Sequence, residues 1–279
     1  MCRFDPYRTW WADLPSRHAP GTVRRWRYLV HRAMADLGRP AETITRAELR
    51  RYLDEFRPAT ANQYRLALTD FFAYLVREGQ RAENPLNDEP SRRLTGMYIR
   101  RGLEPDEFVR LAAALAYLPP RFPWLGQRIA MLATAHVLTG VRPGELLKLT
   151  TDRIHLNGSS SRIEVVGTKT GEDRLVPLSP AAHDVFTELV RDRQGRIANI
   201  GTTRYHELIH RAAVYVGLPN EKARPYALRH TFATWALDAG ADERVVANIL
   251  GHRDLRYIQR YTVPSDDLRR EAVGRLGRV

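Results

Sequence analysis

Apolar residues recur at helical spacing from Thr22 to Leu37: Val23, Trp26, Leu29, Val30, Ala33, Met34 and Leu37, with arginines between them. Gly38 and Pro40 stop that run. Thr45-Arg-Ala-Glu48 has the spacing of a capping box and opens a second helix; Thr60-Ala-Asn-Gln63 has the same spacing and predicts the start of a third. That third run carries Leu66, Phe71, Phe72 and Leu75 and ends at Gly79. Periodicity breaks over 84–102, where Pro85, Pro90, Gly96 and four arginines fall together. The pattern predicts a helical first domain over 1–88, a linker over 89–102 and a second domain over 103–279.

The second domain begins with a helix near Pro105, followed by a long apolar helix over Trp124–Thr139 that Gly140 ends. A short helix follows over Arg142–Leu149. The period then changes from helix to strand: Ile163–Val166 and Arg174–Leu178 flank Gly167-Thr-Lys-Thr-Gly171 and predict an antiparallel hairpin. Helical patterns return over 180–192, 203–216, 226–239, 242–250, 254–261 and 265–276. The expected fold is mainly α with a small antiparallel β-sheet. No internal repeat or low-complexity tract interrupts it.

Composition narrows the function. The 279 residues carry 44 Lys+Arg against 32 Asp+Glu, a net charge of +12, and 41 of the 44 cations are arginine. Residues 1–94 hold 17 basic and 12 acidic groups and the remainder 27 and 20, so both domains are basic. An arginine fork matches phosphate oxygens, and the excess fits a polyanionic partner; GC-rich coding explains most of the Arg/Lys ratio but not the net charge. One cysteine, Cys2, excludes a disulfide scaffold and a Cys-based zinc finger and fits a reducing cytoplasm. The stretch Ile129–Leu138 is shorter than the roughly 20 apolar residues that span a bilayer, and it contains His136.

Four segments bear candidate chemistry. In Thr139-Gly-Val-Arg142-Pro-Gly-Glu145, an arginine follows a Gly-capped helix and Glu145 is spaced to brace it; singly, this is an ordinary ion pair. Arg229-His230 lies in an apolar helix beside Ala227, Leu228, Phe232 and Trp235, where a charge must find a partner or a wet cleft. Leu250-Gly-His252 places a histidine at a helix end, and Tyr261 follows nine residues later; each alone reads equally well as structure.

Together these segments resemble the tyrosine recombinase (phage integrase) family over nearly the whole chain. Arg142 stands in its T-G-x-R-x-x-E-L context, Lys169 in the hairpin before R-L-V-P-L, Arg229 in the R-H-T-F-A-T box, and His252 in the L-G-H box 23 residues on. Tyr261 matches the nucleophile. The resemblance implies a two-domain, C-shaped DNA clamp: a helical core-binding domain joined to a catalytic domain that cleaves and rejoins DNA through a 3′-phosphotyrosine. Arg142, Arg229 and His252 would hold the phosphate, and Lys169 would protonate the leaving 5′-oxygen. The family's histidine three residues before the second arginine is replaced by Tyr226, which can donate to a phosphate oxygen but, with a pKa of about 10, shuttles protons poorly. Tyr257 is a rival nucleophile less well spaced from His252. His230 would orient the site from behind.

The resemblance further implies no cofactor and no metal, and the chain has no GxxxxGK[ST] phosphate loop. Expected partners are a double-stranded recombination site, three more copies of the chain in a tetramer on DNA, and an accessory DNA-bending or directionality protein, with no membrane. The amphipathic tail Pro264–Val279 would dock on a neighbouring protomer. Expected location is the cytoplasm, at the nucleoid. About 20 residues precede the first strong helix, which favours the Xer or short phage-integrase kind over one with an arm-binding domain. Three alternatives remain: a non-catalytic DNA-binding relative, a type IB topoisomerase, and a zinc metalloprotease. The last rests on His206-Glu-Leu-Ile-His210, with Glu221 as third ligand.

Overall fold

The computed structural model describes residues 6–93, 102–117, 123–167 and 173–252. The chain divides into two compact units, Met1–Gly96 and Met97–Val279. The first unit packs four helices: α1 (Pro6–Arg17), α2 (Pro20–Leu37), α3 (Arg46–Asp54) and α4 (Pro58–Arg77). Its core joins Trp10 and Leu14 of α1 to Val30 of α2, Leu49 and Leu53 of α3, and Leu68, Phe71, Phe72 and Leu75 of α4, all fully buried. The α2 stripe buries Val23, Leu29, Val30, Ala33 and Met34, as its spacing requires. Thr45 caps α3 in a true capping box: its hydroxyl accepts from the Glu48 amide, and the Glu48 carboxylate accepts from the Thr45 amide at 2.9 Å.

Two features differ from the pattern reading. Helix α4 starts at Pro58 rather than at Thr60, because proline at the first turn presets the helical φ and has no amide to leave unsatisfied. Helix α1 carried no periodic signal, yet it is fastened to α4 through Asp70. That carboxylate accepts from Trp10 Nε1 at 2.9 Å and from both Arg17 η nitrogens at 2.6 and 3.1 Å. The segment after α4 stays on this unit as far as it is described. Leu86 is fully buried, and Glu89 accepts from Arg50 and Arg92, each at 2.7 Å.

The second unit is built on α6 (Pro123–Thr139), which packs against α5 (Pro105–Tyr117), α8 (Pro180–Val190) and α10 (Pro225–Asp238). The short helix α7 (Pro143–Leu146) follows α6. Strands β1 (Ile154–His155), β2 (Arg162–Val165) and β3 (Arg174–Pro177) form an antiparallel sheet in that order. Ile163 pairs with Val176 and Val165 with Arg174, which puts Ile163, Val165 and Val176 in the core. The hairpin stands where its pattern put it; the two-residue β1 was too short to show. Helices α9 (Thr202–Tyr215) and α11 (Glu243–Leu250) are the remaining α-helices among the described residues. Val246, Ala247 and Leu250 of α11 pack on Ala233 of α10. The start of the unit is tied to α10 as well: Thr231 Oγ1 accepts from the Leu103 amide, and Trp235 Nε1 donates to the Leu103 carbonyl.

The expected helices over 254–261 and 265–276, and the tail Pro264–Val279, lie outside the described residues. Among the described residues, no helix is long and apolar enough to cross a membrane.

Candidate active site

Three loops and helix ends meet where α6, α10 and α11 touch. Helix α6 runs out at Gly140, whose φ of +62° favours glycine; a Cβ there would fall 2.3 Å from the Phe232 ring of α10. The chain therefore turns tightly, and Arg142 follows at the N-cap of α7, with Pro143 at the first helical position.

Glu145 accepts from the Arg142 amide at 2.9 Å and from Arg142 Nη1 at 2.8 Å. The brace expected from the spacing is present, and it leaves the other η nitrogen to donate to the Gly251 carbonyl at 3.0 Å. Burial pushes the Glu145 carboxyl up, but the side chains of Arg174 and Arg142 and the Arg142 amide outweigh it and bring the pKa down to about 2. Glu145 is thus a fixed anion.

Arg229 sits in the middle of α10 and is only 3% exposed. Nη1 donates to the Gly140 carbonyl at 2.8 Å; Nη2 donates to the Leu250 carbonyl at 2.7 Å and lies 3.0 Å from His252 Nε2. A guanidinium only donates, so this contact requires His252 Nε2 to accept. His252 is half-buried and follows Gly251, which ends α11 in the left-handed conformation.

Behind Arg229 lies His136, fully buried on α6. Burial first, then the Arg229 charge, lowers its pKa to about 3, so it is neutral and adds no charge to the cluster. Tyr205, also fully buried, lies 3.4 Å from its Nδ1.

Arg142, Arg229 and His252 are therefore brought together, with Glu145 as brace. Tyr226, 51% exposed in the first turn of α10, opens onto a cavity of about 640 Å³ that Arg142, Glu145, Lys148, Arg153 and Glu164 also line. His230 is half-buried on α10. Lys169, Tyr257 and Tyr261 lie outside the described residues.

The pattern reading missed Arg174, the first residue of β3, which shares Glu145 with Arg142. It had appeared only as context for the hairpin lysine. Chemically, two rigid guanidinium groups and an imidazole at one point can bind the oxygens of a phosphoryl group and stabilise added charge there.

The zinc arrangement finds no geometric support. On α9, His206 is exposed and Glu207 is exposed and paired with Arg204 at 3.0 Å; Glu221, beyond the end of α9, is exposed too. Among the described residues, no three His, Cys, Asp or Glu side chains are grouped to hold a metal ion.

Residues 101–267 match the phage integrase family. Over 226 residues the chain is 32% identical to the tyrosine recombinase XerD of Caulobacter vibrioides, covering 74% of this chain and 70% of that protein. Over 278 residues it is 29% identical to the XerD of Ralstonia nicotianae, covering 91% and 86%. Among solved structures it resembles a lambda integrase (75–356) dimer bound to a COC′ core site, with a TM-score of 0.72, 20% identity and coverage of 92% and 93%. It also resembles the Tn1549 transposon integrase in complex with a circular intermediate DNA, at 0.71, 16%, 98% and 100%.

Proposed function

The chain belongs to the phage integrase family of tyrosine recombinases, and from that premise we propose that it exchanges DNA strands at a specific site through a 3′-phosphotyrosine intermediate. The observation that carries this reading is the meeting of Arg142, Arg229 and His252 at the end of α11.

Transfer at a phosphodiester builds negative charge on the non-bridging oxygens of a pentacoordinate phosphorus. The two guanidinium groups hold those oxygens, His252 adds a donor once its Nε2 carries a proton in place of the Arg229 contact, and Tyr226 adds a hydroxyl donor. Tyr261 gives up its phenolic proton to water and forms the new P–O bond as the bond to the 5′-oxygen breaks, and Lys169 protonates that oxygen and is reprotonated from water. The phosphotyrosine conserves the energy of the broken bond, so rejoining needs neither ATP nor a metal.

In this reading residues 1–88 form a core-binding domain, 89–102 a linker and 103–279 the catalytic domain, and both basic domains contact the same duplex. Strand exchange joins two duplexes and takes four protomers. The tail Pro264–Val279 docks between neighbours, and a DNA-bending or directionality protein is a fitting accessory. The protein works where the DNA is, in the cytoplasm at the nucleoid.

Tyr226 is the one feature that favours a binding-only relative. A nicked suicide duplex separates the readings. The recombinase forms a covalent protein–DNA adduct that Tyr261→Phe abolishes; absence of adduct from the wild-type protein leaves only binding. Relaxation of supercoils without exchange of partners would instead mark a topoisomerase.

A further inference from the structure

The end of α11 is held in an unusual way. Its last carbonyls have no partner within the helix. Arg174 Nε donates to the Ile249 carbonyl at 2.8 Å, Arg229 to that of Leu250 at 2.7 Å, and Arg142 to that of Gly251 at 3.0 Å. Three arginines from three separate elements take three consecutive carbonyls, and His252 is the next residue.

Arg174 alone among the three puts both η nitrogens on the carboxylate: its side chain is 10% exposed, Nη2 donates to Glu145 Oε2 at 2.7 Å and Nη1 to Oε1 at 3.3 Å. A Cβ on Gly251 would lie 3.2–3.3 Å from the Arg174 guanidinium, so the turn before His252 is pressed against it.

We propose that Arg174 is a positioning residue for strand cleavage, which locks Glu145 and the end of α11 in register so that Arg142 and His252 meet the same phosphate. This rests on the recombinase reading above.

Two physical consequences follow from its place. Glu145 shares its carboxylate between two arginines; with Arg174 gone, it is free to close bidentately on Arg142 and draw that guanidinium away from Gly251. Charge balance also depends on it. Arg142, Arg174 and Arg229 against one Glu145, with His136 neutral, leave a net charge of +2, which matches the two negative charges of a pentacoordinate phosphate under attack by a phenolate.

The test compares Arg174→Lys and Arg174→Met in the full chain. A lysine keeps a cation beside Glu145 but has no fork to reach Glu145 and Ile249 together. Arg174→Lys is expected to recover most of the thermal stability lost in Arg174→Met and to bind the nicked duplex within about twofold of wild type. Its single-turnover cleavage at saturating protein should still fall about 10²-fold, the scale of a misplaced reacting group. Cleavage by Arg174→Lys within threefold of wild type, or a rate loss matched by a loss of DNA affinity, overturns the proposal.

If the wild-type protein forms no adduct, the recombinase reading fails and the role in cleavage fails with it; amide exchange then tests what remains, the locking of the end of α11 by Arg174. Faster exchange in Arg174→Lys confined to residues 248–252 supports it, and unchanged exchange there overturns it.

Discussion

Arg142 and Arg229 donate to adjacent carbonyls, Gly251 at 3.0 Å and Leu250 at 2.7 Å, although 87 residues separate them in the chain. They differ in burial: Arg142 keeps 23% of its side chain exposed, whereas Arg229 is almost fully enclosed. Alanine at either position should slow cleavage about 10²–10³-fold while DNA binding persists. Arg229→Ala should lower stability the more, by roughly 1–3 kcal/mol, because it leaves the Gly140 and Leu250 carbonyls buried without their donor. Paired measurements of cleavage rate and denaturation midpoint check both, and full activity in either variant removes that arginine from the site.

Gly140 is the hinge on which Arg229 depends. Its carbonyl accepts from Arg229, its φ is positive, and an added Cβ would strike the Phe232 ring at 2.3 Å and Leu250 Cδ2 at 2.9 Å. Gly140→Ala should cost about 2–4 kcal/mol in urea denaturation and slow cleavage as the carbonyl shifts. A variant as stable as wild type would show that the α6–α10 contact is looser than described.

His136 makes the protein acid-sensitive. Its pKa falls from 6.5 to about 3 on folding, so below pH 6.5 the unfolded chain takes up a proton that the folded chain refuses until about pH 3. Its contribution is complete above pH 6.5 and is lost as pH falls from there towards 3, by up to roughly 1 kcal/mol per pH unit. Glu145, lowered from 4.5 to about 2, adds a second loss below pH 4.5. His136→Gln should flatten the stability profile between pH 6.5 and 5; an unchanged slope would place the acid-sensitive group elsewhere.

Tyr226 lies open to the cavity beside Arg142. Tyr226→Phe removes a hydroxyl donor and should slow cleavage about tenfold with DNA affinity unchanged. Tyr226→His should keep or exceed the wild-type rate and add a pH dependence centred near the ordinary histidine pKa of about 6.5. A Phe variant at full rate would assign Tyr226 no part in the reaction.

What could be read from sequence was whatever repeats locally. The α2 stripe, the Thr45 capping box and the β2–β3 alternation each declare themselves within a few residues, and the three segments around Arg142, Arg229 and His252 were visible by order and flanking residues. Helix α1 was not, because it buries just Trp10 and Leu14 fully, contains Pro15, and is held by Asp70, more than 50 residues away. Arg174 escaped for the same reason. Its partners Glu145 and Ile249 are 29 and 75 residues distant, and no local pattern reports such bonds. Thr60 misled because its capping spacing ignores the stronger first-turn preference of Pro58.

The central claim is that Arg142 and Arg229 neutralise one phosphate. The most direct measurement is single-turnover cleavage of a duplex carrying a methylphosphonate at the scissile position, where one charged oxygen is replaced by a methyl group. Arg142→Ala and Arg229→Ala, about 10²–10³-fold slower than wild type on phosphate, should each regain at least about tenfold of that loss on the uncharged linkage. Equal deficits on the charged and uncharged substrates would contradict the account, because the two arginines would then be acting somewhere other than on the phosphate charge.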